Sequence, residues 1–102
     1  MNEDRTAESP QVFTLSQNAP NPFNPATAIS FRLASALSVR LSIYDALGRE
    51  VAVLAEGFLQ AGNHEARWNG RDSLGNPVSS GVYLYRLEAG GKWETRKMTL
   101  VR

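Results

Sequence analysis

Strict alternation of apolar and polar residues constrains the fold of this chain more than any other feature. In Thr27–Leu33 every second residue is apolar, namely Ile29, Phe31 and Leu33. A period of two places these side chains on one face of an extended strand and the polar ones on the other. The segment is therefore predicted to be a strand with one buried and one exposed face.

Similar short segments recur along the chain. The other predicted strands are Val12–Leu15, Val39–Ile43, Arg49–Leu54, His64–Trp68, Gly81–Leu87 and Trp93–Val101. Turn-forming residues separate them, as in Asp45–Gly48, Asn69–Gly70 and Asp72–Pro77. About seven short strands spaced in this way predict an all-β fold, an immunoglobulin-like antiparallel β-sandwich.

One segment also fits a helix, because its apolar residues fall at helical spacing: Leu47, Val51, Leu54 and Phe58. Gly48 and Gly57 bracket it, and strands are predicted on both sides. We therefore favour a strand over Arg49–Leu54.

The length suits one domain. A chain of 102 residues that is 42% hydrophobic and 21% charged can form one hydrophobic core. Residues 1–11 are predicted to be a linker or a cloning start, because Met1–Pro10 lacks the apolar stretch of a signal peptide. Residues 12–102 form the predicted sandwich. A net charge of +1 gives no reason to expect nucleic acid as a partner.

Few side chains could carry catalysis or hold a metal. The chain has one histidine, His64, and no cysteine, whereas enzymes need a positioned base, nucleophile or metal. Asn69, Asp72 and Asn76 could offer oxygens to calcium, but such sites usually have about six to eight oxygens with several carboxylates. We expect a structural or surface role for His64 and a plain turn at Asp72. No catalytic, cofactor-binding or metal-binding residue is predicted, and no small-molecule substrate.

Four aromatic residues could form a platform for stacking sugars: Trp68, Tyr83, Tyr85 and Trp93. Trp68 shares a face with Ala66 and is expected in the core, whereas Trp93 is expected to be exposed. Tyr83 follows Gly81 by two residues, where a tyrosine corner would place its hydroxyl on nearby backbone. A carbohydrate-binding or adhesive module remains an alternative function.

A proline-rich segment, Asn18–Pro25, lies between the first two predicted strands. Each proline fixes its own φ, favours extended backbone before it and lacks an amide donor. We expect a stiff crossing with Phe23 inserted as a plug. Its main role is predicted to be structural.

Several segments of the chain resemble the type A sorting domains of type IX secretion. The resemblance is carried by Leu15–Thr27, Ile43–Arg49, Ala61–His64, Trp68–Gly70, Ser80–Tyr83 and Lys97–Arg102. The motif residues expected to be structural are Asn18, Pro20, Asn21, Pro22, Phe23, Asn24, Pro25, Asp45, Gly48, Gly62, Trp68, Gly81 and Tyr83. Ala19 departs from the family, which commonly has an aromatic residue there. Trp68–Leu87 is also similar to the immunoglobulin-like domain of flagellar hook-capping proteins.

The resemblance implies a C-terminal signal attached to a large cargo, such as a secreted hydrolase. An outer-membrane translocon would recognise it in the periplasm, and a sortase-like peptidase would often cleave it off. The protein would pass through the periplasm to the cell surface or the exterior. The candidate recognition residues are Lys97, Met98, Leu100, Val101 and Arg102. Alternatively, Met98 and Leu100 complete the core. A structural domain of an extracellular or flagellar assembly is a further alternative.

Overall fold

The computed structural model describes residues 11–102, which contain seven strands and no helix. The strands are β1 (Phe13–Leu15), β2 (Thr27–Leu33), β3 (Leu37–Asp45), β4 (Glu50–Leu59), β5 (Gly62–Trp68), β6 (Gly81–Ala89) and β7 (Lys92–Leu100). Most of the predicted linker, residues 1–10, lies outside the described part. Within residues 11–102 no helix is long and apolar enough to cross a membrane.

The strands form two antiparallel sheets, which confirms the predicted all-β fold. One sheet has the order β1-β2-β5 and the other the order β4-β3-β6-β7. In the first sheet Ile29 of β2 pairs with Ala66 of β5. In the second, Leu41 of β3 pairs with Leu87 of β6, and Tyr83 of β6 pairs with Met98 of β7.

The core lies between the inner faces of the two sheets. The alternation predicted in β2 appears directly as burial, since Ile29, Phe31 and Leu33 are each no more than 4% exposed. The largest fully buried side chains include Trp68, Tyr85, Phe23, Leu41, Leu87, Met98 and Leu100. The chain has no cysteine and therefore no disulfide to stabilise the fold. Burial of this apolar core is the main source of stability.

The segment that also fitted a helix is a strand, β4, and it extends beyond the predicted Leu54 to Leu59. Two register shifts interrupt its pairing with β3: Leu41 pairs with Ala55 but Ser42 with Val53, and Ile43 pairs with Ala52 but Tyr44 with Glu50. Leu54 and Val51 are therefore extra residues in β-bulges. Their insertion disturbs the period of two and produces the apparent helical spacing.

The ends of the described chain lie at opposite ends of the sandwich. Val12 packs on Gly90, between β6 and β7, so closely that a Cβ at Gly90 would lie 2.9 Å from Val12 Cγ1. From there β7 runs through nine residues, about 30 Å of extended chain, to Leu100. Val12, near the start of the described residues, therefore lies far from Val101 and Arg102.

Candidate functional site: the closing strand and the proline segment

The proline segment lies along the outer edge of β7, the strand that closes the chain. Phe23 N–H donates to Thr99 O at 3.0 Å, and Val101 N–H donates to Phe23 O at 2.9 Å. Two side chains extend the contact: Asn21 Oδ1 accepts from Thr99 N at 3.0 Å, and Gln17 Nε2 donates to Lys97 O at 2.8 Å. The crossing predicted between the first two strands thus also covers the C-terminal half of the last one.

A network of buried hydrogen bonds holds the proline segment on the core. Asn18 is 3% exposed, and its Nδ2 donates to Thr27 Oγ1 at 3.0 Å and to Pro20 O at 3.2 Å. The Tyr85 hydroxyl accepts from Asn18 N at 2.8 Å and donates to Ser16 O at 2.6 Å. Burial raises the pKa of the Tyr85 hydroxyl. Tyr85 is therefore a core residue and no part of a sugar platform.

Phe23 is the predicted plug. It is 1% exposed, and its ring packs on Trp68 at 5.7 Å between centroids. Trp68 in turn meets the Tyr83 ring edge-on at 5.2 Å and donates from Nε1 to Arg71 O at 2.8 Å. Tyr83 donates its hydroxyl proton to Ser79 O at 2.7 Å, which confirms the tyrosine corner. Trp68 and Tyr83 are thus also closed to sugars.

Two aspartates organise the tight turns. Asp45 Oδ1 accepts from Leu47 N and Arg49 N, each at 2.9 Å, and Asp45 Oδ2 lies 2.9 Å from Arg49 Nε. The hydrogen bond from the Arg49 backbone, followed by the Arg49 side chain and Leu47 N–H, holds the pKa of Asp45 below its usual value despite partial desolvation. Gly48 completes this turn with φ of 86°.

The loop considered for calcium has the same design. Asp72 Oδ1 accepts from Leu74 N at 3.0 Å and from Asn76 N at 2.9 Å, so the carboxylate serves the turn. Within residues 11–102 no three His, Asp or Glu side chains come together as metal ligands would. These hydrogen bonds make the segment a tight turn held by the Asp72 carboxylate.

The remaining motif residues lie at element boundaries or on the surface. Pro20, Asn21, Pro22, Asn24 and Pro25 are exposed along the proline segment, and Gly62 and Gly81 begin β5 and β6. His64 stacks on Phe31 at 5.4 Å, and its Nε2 lies 2.7 Å from Gln60 O. No described carboxylate pairs with this imidazole.

The structure divides the five candidate recognition residues. Met98 and Leu100 are 0% and 1% exposed, so they complete the core and no partner can contact them in the folded domain. Lys97 is exposed, and Val101 is 47% exposed. Of the two roles left open for Met98 and Leu100, the structure supports completion of the core, because β7 turns their side chains inward.

Arg102 forms a clasp at the same end. Its guanidinium donates to Gly70 O and to Val78 O, and its N–H donates to Ser80 Oγ at 2.9 Å. Gly70 has φ of 73°, and a Cβ there would lie 2.8 Å from Arg102 Nη2. The sequence motif indicated a glycine in this turn, but nothing local indicated that Arg102 would reach it.

The comparisons with known proteins agree with this architecture. The family model described as the FlgD Ig-like domain matches residues 16–92. Dimeric latent PorU from Porphyromonas gingivalis is similar with a TM-score of 0.71 and 26% identity, over 91% of this chain and 10% of that one. PorZ from the same organism, an essential surface component of its type IX secretion system, has a TM-score of 0.59 and 27% identity, over 84% and 11%.

FlgD from P. aeruginosa shares the fold, with a TM-score of 0.58 and 24% identity over 78% of this chain and 67% of that one. This chain spans about a tenth of the length of the PorU and PorZ chains. No curated protein matches the sequence.

Proposed function

The chain belongs to the FlgD Ig-like domain family, and on that premise we propose that it is a type A C-terminal sorting domain that directs a cargo protein across the outer membrane by type IX secretion. The observation that carries the proposal is the likeness to PorZ, an essential surface component of a type IX secretion system, with a TM-score of 0.59 over 84% of this chain. The likeness to PorU from the same organism, with a TM-score of 0.71 over 91% of this chain, agrees with it. The motifs of Leu15–Thr27 and Lys97–Arg102 add the specific resemblance to sorting domains.

On this proposal the domain itself catalyses nothing and needs no cofactor. Its partners are the outer-membrane translocon, a sortase-like peptidase and the cargo attached before residue 11. The domain passes through the periplasm and reaches the cell surface or the exterior. Any catalytic activity of the parent protein belongs to the attached cargo.

The exposure of side chains on and after β7 supports recognition at the closing segment. Lys97 and Val101 are exposed on and after β7, and Arg102 clasps Gly70 and Val78 at that end. The described residues begin near Val12, about 30 Å away along the sandwich. A translocon could therefore contact Lys97, Val101 and Arg102 at the end opposite to Val12. Met98 and Leu100 contribute by holding the strand in place.

The test is a fusion of the chain to a reporter in a type IX-competent bacterium. Truncation of the last strand would remove core residues Met98 and Leu100, so it cannot separate folding from recognition. The paired substitution Lys97→Glu and Val101→Asp leaves the core intact. We expect it to lower surface delivery at least about tenfold, as when an interface hot spot is lost, with an unchanged melting temperature.

The matched control is Arg67→Glu with Leu47→Asp, which changes the net charge equally at exposed positions elsewhere. It should leave delivery unchanged. Equal delivery of both paired variants would reject the closing segment as the docking surface. Failure of the unaltered fusion to reach the surface would reject the sorting function itself.

A structural domain in an extracellular or flagellar assembly is the second candidate, and the FlgD family match favours it. It predicts that the fusion stays in the periplasm. The carbohydrate-binding alternative is weakened, because Trp68, Tyr83 and Tyr85 are each no more than 5% exposed and only Trp93 of the four aromatics is exposed.

A further inference from the structure

The N-terminal half of β7 has an outer edge that no described residue covers. In an antiparallel ladder, alternate residues direct their N–H and C=O groups toward the partner strand and away from it. Thr99 bonds the proline segment with its outward groups, and the outward Lys97 C=O accepts from Gln17. Thr95 and Trp93 stand at the same alternate positions, so their N–H and C=O groups also point outward. No residue of the described range 11–102 bonds these groups of Trp93 and Thr95.

This edge is also regular. The pairing of β7 with β6 continues without a shift, from Gly81 opposite Leu100 to Ala89 opposite Lys92. By contrast, β4 at the opposite edge of the same sheet contains two bulges, and β1 has only three residues. Bulges and short strands are two of the devices by which proteins prevent pairing at an edge, and lysines are another, which act against strands of like charge. The half-strand Trp93–Lys97, here called the open edge, has neither of the first two.

An aromatic anchor distinguishes the open edge from the edge at β5. Trp93 is 63% exposed, and the Arg86 guanidinium lies over its ring at 5.1 Å. Arg86 Nε is itself 3.1 Å from Glu88 Oε2, so the cation is held beneath the indole. The exposed side chains of β5 are polar, namely Asn63, Glu65 and Arg67. Preformed tryptophan anchors are typical of the few residues that dominate binding energy.

Positive charge flanks the open edge. The two lysines of the chain, Lys92 and Lys97, lie at its ends, and both are exposed. Neither pairs with a carboxylate among the described residues, whereas Glu94 is already 3.0 Å from Arg96 and Glu88 is paired with Arg86. An incoming strand therefore meets two ammonium groups that no carboxylate of residues 11–102 compensates. A second copy of this edge would bring like charges together, which disfavours self-pairing.

We propose that the open edge Trp93–Lys97 binds an extended acidic segment of a partner protein by β-strand addition. The partner would bond the outward groups of Trp93 and Thr95 and the Lys97 N–H, pack against the Trp93 indole and place carboxylates near Lys92 and Lys97. The Gln17 side chain on Lys97 O ends the available ladder. The inference holds whether or not the domain directs export.

The test uses the full chain and a synthetic peptide of about nine alternating glutamate and valine residues, long enough for one strand. Backbone amide exchange followed by NMR reports the edge directly. We expect the peptide to protect the amides of Trp93, Thr95 and Lys97, and a lysine–valine peptide of equal length to bind at least about tenfold more weakly.

Two variants interrupt separate parts of the site. Thr95→Pro removes an outward N–H while sparing the ladder with β6, and edge strands tolerate proline there. Lys92→Glu with Lys97→Glu removes the charge attraction and keeps every backbone donor. Each should weaken acidic-peptide binding at least about tenfold, whereas the control Arg32→Glu with Arg67→Glu should not.

Three results would overturn the proposal. The first is equal binding of the acidic and basic peptides, and the second is protection at strands other than β7. The third is protection of the Trp93 and Thr95 amides in the free chain, which would mean that a second copy or residues 1–10 already occupy the edge. If Thr95→Pro fails to fold, the variant Lys92→Glu with Lys97→Glu tests the proposal alone. Undiminished binding of the acidic peptide by that variant would then overturn it.

Discussion

The substitution Phe23→Ala tests whether the proline segment is part of the core. Phe23 is 1% exposed, its ring contacts Trp68 and its backbone bonds Thr99 and Val101. Removing a buried phenyl ring costs about 3–5 kcal/mol, from lost apolar burial and from the cavity left behind. Since small domains are stable by about 5–15 kcal/mol, the variant should lose a large part of the free energy of unfolding.

That loss converts to a melting temperature lower by at least about 12 °C, at about 4–8 °C per kcal/mol for a domain of this size. Thermal and urea unfolding followed by circular dichroism measure it. Phe58→Ala is the matched control, because Phe58 is 64% exposed and should cost less than about 1 kcal/mol. A Phe23→Ala variant that melts within about 4 °C of the unaltered chain would refute the reasoning.

The other predictions concern hydrogen bonds and turns. Tyr85→Phe removes the hydroxyl that bonds Asn18 N and should cost about 1–3 kcal/mol in urea unfolding. Burial raises the pKa of the Tyr85 hydroxyl in the folded state. The contribution of the neutral hydroxyl to the free energy of unfolding is therefore complete below about pH 10 and is lost as the pH rises through the folded pKa. Tyr85→Phe should reduce this decline. The pKa of Asp45 is lowered in the folded state, so its carboxylate contributes to the free energy of unfolding above about pH 4, and this contribution is lost as the pH falls. The difference in stability between the unaltered chain and Asp45→Asn should therefore shrink in acid. Gly70→Ala combines a positive φ with a clash against Arg102 and should cost about 1–3 kcal/mol by thermal unfolding, whereas a loss near zero would contradict the clasp.

The alternating pattern was sufficient to predict the sheets and most of the core. It predicted Ile29, Phe31 and Leu33 as one buried face, and it placed Trp68 inside and Trp93 outside. These predictions succeed because burial in a half-exposed strand follows a local period of two. The extent of β4 was underestimated, because the bulges at Leu54 and Val51 interrupt that period.

The contacts of the proline segment could not be predicted from the sequence. Gln17 reaches Lys97, 80 residues away, and Asn18 reaches Tyr85, 67 residues away. Neither pair has a local signal, since each depends on how the two sheets stack. Sequence reasoning therefore predicted Phe23 as a plug, but it gave no sign that the Tyr85 hydroxyl would bond this segment. It also left open whether Met98 and Leu100 face the core or a partner, which the register with β6 decides.

The most direct test of the central claim is the share of a reporter delivered to the outside of a type IX-competent bacterium, with and without this domain fused to it. The account predicts that the reporter reaches the surface only when the folded sandwich is attached. Delivery should fall for Lys97→Glu with Val101→Asp although the domain remains folded. Equal delivery of the reporter without the domain would contradict the account.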